Sequence, residues 1–99
     1  MASQTPTLPG SAQCLSPEEV QNVAYTATAG TIADATSGRV LRIFCTTDAF
    51  IKIGVDPTAT TSDTPVAARS AEYFRANPGN KVSAVQASQG GILYVTEMD

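Results

Sequence analysis

Asp48, Asp56 and Asp63 follow one another at intervals of eight and seven residues, and they are the chain's candidates for a carboxylate pair or a calcium site. Each stands in turn-forming company: "TTDAF", "VDPT" and "TSDT". Aspartate in such settings bonds its own backbone, which is the simpler reading. Glu18 and Glu19 are adjacent in "LSPEEVQNV", where a helix start accounts for them. The chain contains no histidine, so the usual serine and cysteine triads and the usual zinc ligand sets are excluded. Its glycines form no GxGxxG or phosphate loop; "PG" at 78–79 and "GG" at 90–91 are turn chemistry. Tyr73, Phe74 and Arg75 could make a stacking platform for sugars or bases, but a strand with one ring inside and one outside explains them more simply. Cys14 and Cys45 form no CxxC unit and read as two reduced thiols serving as small apolar residues. No catalytic residue, cofactor, metal or small-molecule substrate is expected.

The 99 residues suffice for one domain, with residues 14–99 as its body. At 42% hydrophobic and 15% charged, the chain can fold, but much of its apolar content is alanine and only 6% is aromatic. A core of small residues leaves little margin over chain entropy, so association is expected. The net charge of −3, with six scattered basic residues, argues against a nucleic-acid partner. No stretch approaches a membrane-spanning helix, and "MASQTPTLPG" has neither the basic region nor the apolar run of a signal peptide. A soluble protein made in the cytoplasm is expected.

The elements that position these residues are mostly strands. Residues 1–13, "MASQTPTLPGSAQ", read as an extended N-terminal arm. Ser16, Pro17, Glu18 and Glu19 then form a capping box, with Leu15 able to staple against Val20, and predict a short helix near residues 17–22. From Val23 the period changes to two. "VAYTATA", "VLRIFCTT", "AFIKIGV", "AEYFRA", "KVSAVQA" and "ILYVTEM" are six strands. Two pairs read as hairpins, one joined at Thr47 and Asp48 and the other at "SQGG". Turn signals every ten residues or so predict an all-β fold, a small antiparallel β-sandwich or jelly-roll-like barrel. Between the strands lies "VDPTATTSDTPVAARSAEYF", residues 55–74. Asp56 to Pro65 read as a solvated turn region, and the loop as a whole is expected to carry the chain between sheets.

The segment from Arg39 to Asp99 contains "TTD" closing one strand, "IKIG" in the next, a "PTAT" loop, "EYF", "PGNKVSAVQAS" and a final "LYVTEM". In that order these elements resemble small structural proteins of tailed-phage virions, of the head decoration or cement type; residues 1–38 lie outside the resemblance. It implies a bacteriophage virion protein on the outer capsid surface, synthesised in the host cytoplasm. The major capsid protein would be its partner. A homo-oligomer is implied, most simply a trimer, that stabilises capsid subunit joints. The candidate subunit or capsid contacts are Thr5, Thr7 and Leu8 in the arm, Thr58, Thr60 and Thr61 at the loop tip, and Tyr73 and Arg75 on a strand. The alternatives are a small tail or fibre component that binds glycans or a receptor, and, more remotely, an enzyme of cupin-like shape, which the missing histidines oppose.

Overall fold

The structure of the protein, a computed structural model, describes residues 17–37 and 40–98. The expected arm over residues 1–13, with Thr5, Thr7 and Leu8, and also Cys14, lies outside the described residues. The described chain is all-β: β1 (Pro17–Tyr25), β2 (Gly30–Thr31), β3 (Val40–Cys45), β4 (Ala49–Gly54), β5 (Thr64–Val66), β6 (Glu72–Arg75), β7 (Lys81–Gln86) and β8 (Gly91–Met98). They form two four-stranded sheets, β1-β8-β3-β6 and β2-β7-β4-β5, with every pairing antiparallel. The pairs are nested: β1 with β8, β2 with β7, β3 with β6 and β4 with β5. The fold is a small β-sandwich.

The alternation of each strand supplies the core between the sheets. Leu41, Ile43 and Cys45 of β3 point inward with Leu93 and Val95 of β8 and Tyr25 of β1. From the other sheet come Ala49 and Ile51 of β4, Val66 of β5, and Val82 and Ala84 of β7, with Ile32 just beyond β2. Phe74 packs against this cluster and Tyr73 points away, as its strand pattern predicts.

Residues 17–22 are not helical. The capping signature is present, but a cap contributes only about 1 kcal/mol. Against it stand a ladder to β8 running from Pro17↔Met98 to Tyr25↔Gly91, and the burial of Val23 and Tyr25, two residues apart on one strand face. A helix would scatter those side chains around its axis. The prolyl and glutamyl residues instead mark a bulge, where the β1–β8 register shifts between Pro17 and Val20.

Neither expected hairpin forms. β3 and β4 belong to different sheets, and so do β7 and β8. The inward faces of β3 and β4 are both apolar, and they bury most surface by facing each other across the core. Residues 46–48 and 87–90 are therefore corners between sheets. Among the described residues, β4 and β5 are the only strands consecutive in sequence that pair with each other. The 76–80 turn forms as expected, with Gly79 at φ 93° and Asn80 N–H donating to the Asn77 carbonyl at 3.1 Å.

Candidate functional site

Tyr25 pins one corner. It is 1% exposed, and its hydroxyl donates to the Thr47 carbonyl at 2.8 Å, lies 2.8 Å from Thr47 Oγ1 and accepts the Thr47 amide at 3.2 Å. Burial raises its pKa above the usual phenol value, against the lowering effect of the Thr47 bonds. Cys45, two residues earlier, is a free and fully buried cysteine. Desolvation pushes its thiol up to about 11; a hydrogen bond with Tyr25 works against the shift, and the Glu72 charge adds to it. A thiol held so protonated is a packing group and a poor nucleophile.

The aspartates do local work. Asp63 Oδ2 accepts the Thr60 amide at 2.7 Å and the Thr60 hydroxyl at 3.2 Å, closing the loop tip. Asp48 Oδ1 accepts the Ala68 amide at 2.7 Å, fastening the passage from β5 to β6. Asp56 is exposed. Asp48 and Glu72 both line an open depression of about 450 Å³ beside Phe50, Pro65 and Ala87. Among the described residues, no three His, Cys, Asp or Glu side chains converge as metal ligands would.

Residues 55–74 divide at β5. The first part is only partly solvated, contrary to the sequence reading: Pro57 and Ala59 are buried. Thr31 Oγ1 donates to the Pro57 carbonyl at 3.2 Å, and the Ala59 amide donates to Ser83 Oγ at 3.0 Å. Thr31, Ser83 and Lys52 are register partners, and Ser83 alternates with the inward Val82 and Ala84. The loop thus folds back over the outer face of the β2-β7-β4-β5 sheet. The second part, residues 67–71, carries the chain between sheets as expected, with Arg69 at φ 57° donating its amide to the Cys45 carbonyl at 2.8 Å.

The opposite face of the sandwich, the outer side of β1-β8-β3-β6, has a different character. Its registered rows are Ala24–Ile92, Asn22–Tyr94–Phe44, Val20–Thr96–Arg42–Tyr73 and Pro17–Met98–Val40–Arg75. Val20 is 60% exposed, Tyr73 43% and Ile92 37%. These are three of the four exposed large hydrophobic residues among those described; the fourth, Val55, follows β4. Phe44 and Tyr94 meet edge to face, centroids 6.2 Å apart, and the Arg42 guanidinium lies 5.6 Å from the Phe44 centroid. Arg42 and Arg75 are the charges in these rows, and none of the rows contains an acid. Glu18 and Glu19 stand exposed at the β1 bulge, at the rim.

The structure therefore separates the candidate contacts. Tyr73 and Arg75 share that outer face, whereas Thr58, Thr60 and Thr61 are exposed in the connection of the other sheet. Sequence reasoning overlooked Phe44, Tyr94 and Ile92 as surface groups. The signal was available, because "VLRIFC" and "ILYV" are apolar at both parities, more than one core requires. Comparison with known proteins gave no match: no family model, no curated protein and no solved structure matches the chain.

Proposed function

We propose that the protein is a virion structural protein of the decoration, or cement, type. It binds the outer surface of a capsid shell as an oligomer, a trimer in the simplest arrangement, and stabilises the joints between capsid subunits. The observation that carries this reading is the apolar outer face of β1-β8-β3-β6, because a soluble domain keeps such a surface where something covers it. We read the nested strand pairing as a jelly roll, a winding that recurs in viral capsid domains and also in lectins; this support is an analogy of fold. The chain has no histidine, and the reading assigns it no catalysis.

The test is binding of purified full-length protein to expanded capsid shells that lack it. Saturable binding that slows shell disruption on heating supports the proposal, and absence of binding sinks it. Deleting residues 1–13 should weaken binding while leaving the melting temperature unchanged, since the reading assigns those residues to contact with the shell. The exposed Tyr73 beside the Arg42–Phe44 stack favours a second reading, a glycan- or receptor-binding module of a tail or fibre. Glycan binding by the isolated protein, together with indifference to shells, would decide for that alternative.

A further inference from the structure

We propose that the outer face of β1-β8-β3-β6 is the docking surface, and that its occupant is a protein surface apolar at its centre with carboxylates opposite Arg42 and Arg75. The inference rests on the decoration reading in taking the capsid shell as that partner.

Three observations lead to it. The two outer faces are finished differently: the chain lays its own Pro57 and Ala59 over one, hydrogen-bonded to Thr31 and Ser83. No described loop is bonded across the other in this way. This face is sticky in the manner of an interface core, with aromatic rings and arginine present and acids absent from its registered rows. Its registered rows carry +2 on a protein of −3, with the acids Glu18 and Glu19 confined to the β1 rim.

That charge selects the occupant. A second copy apposed face to face could answer Arg75 only from Glu18 and Glu19 at the β1 rim, and Arg42 on the inner strand β3 would meet no carboxylate in the registered rows. Nucleic acid would meet only two cations on an acidic protein. A protein surface with acidic groups around an apolar centre answers both the rings and the guanidinium groups.

The size of the face fixes how strong one contact can be. Four strands spaced by about 4.8 Å and eight residues of β8 at about 3.4 Å give a flat footprint of roughly 500 Å². A standard interface takes about 800 Å² from each partner. One copy should bind weakly, and firm attachment should come from several linked copies.

The experiment compares shell binding by full-length protein carrying Arg75→Glu, Tyr73→Asp or Lys52→Glu. Lys52 is exposed on the other sheet's outer side, so its reversal changes net charge as much as Arg75→Glu does. Arg75→Glu and Tyr73→Asp should each lower affinity tenfold or more with the melting temperature kept, and Lys52→Glu should stay within twofold. Wild-type binding that survives Arg75→Glu and Tyr73→Asp combined overturns the docking face and leaves the decoration reading standing. Wild-type protein indifferent to shells overturns both. If the two variants instead change the sedimentation of the free protein, the face joins copies of this chain, and the proposal is equally overturned.

Discussion

The Ala59 amide donates to Ser83 Oγ at 3.0 Å, and both residues are buried although neither belongs to the core between the sheets. The bond makes a long connection part of the fold. Ser83→Ala removes the acceptor and leaves a buried amide unsatisfied, which costs about 1–3 kcal/mol. Urea denaturation should show that loss. Thr61→Ala, exposed at the same loop's tip, should stay within about 0.5 kcal/mol of wild type. Equal effects at the two positions would mean that the loop is not strapped to the sheet.

Much of this architecture could be read from the sequence, and the failures have a common cause. The inward triplet Leu41, Ile43 and Cys45 and the split between Phe74 and Tyr73 followed from alternation alone. Strand partners did not follow, because alternation reports which side chains share a face and is silent about which strand lies alongside. The short links at 46–48 and 87–90 suggested hairpins, yet they turn corners between sheets. The helix expected at 17–22 failed because a local cap was weighed without the ladder to β8, whose residues Met98 and Gly91 lie more than sixty residues along the chain from their β1 partners. Burial of Pro57 and Ala59 was hidden for the same reason. The cover shows in the structure, where the four central residues of "KVSAVQ" are all buried although alternation would leave one side exposed.

The Tyr25 hydroxyl and Thr47 set the corner between β3 and β4, and Gly91 is the residue that leaves them room. A Cβ at position 91 would come within 2.6 Å of Thr46 Oγ1 and 2.7 Å of the Tyr25 hydroxyl oxygen. Tyr25→Phe should cost about 1–3 kcal/mol by leaving the Thr47 amide without its partner. Gly91→Ala should also destabilise, because it must push the same groups apart. Calorimetry on Tyr25→Phe, Gly91→Ala and the double variant gives the check: the double should fall short of the sum, since both break one cluster. Strict additivity would show that Gly91 acts elsewhere.

Cys45 makes the fold sensitive to alkali. Its thiol is raised to about 11 from an ordinary value near 9, so between these values the unfolded chain has released a proton that the folded chain keeps. Stability is therefore complete below about pH 9 and falls as pH rises towards 11, by about 1.4 kcal/mol for each pH unit in that window. Tyr25, also raised by burial, extends the loss to higher pH. Melting curves from pH 7.5 to 11 should decline less steeply for Cys45→Ala than for wild type. Matching slopes would remove the thiol from the account, whatever the absolute stability of the variant.

Gln21 closes the open side of the sandwich where the edge strands β1 and β2 face one another. Its Nε2 donates to the Asp34 carbonyl at 3.0 Å, and its Oε1 accepts the Asp34 amide at 3.0 Å, so one side chain bonds as a strand backbone would. The clasp joins β1, in one sheet, to the segment just after β2, in the other. Two such bonds are worth about 0.5–1.5 kcal/mol each, enough to govern local opening without deciding global stability. Gln21→Leu should therefore speed hydrogen exchange at the Asp34 amide by roughly tenfold while the melting temperature moves little. Gln21→Glu keeps the acceptor and loses the donor, so the Asp34 amide should stay closer to wild type than in Gln21→Leu. If both variants exchange alike at that amide, the protection comes from packing around residue 34, and the amide group of Gln21 is incidental to it.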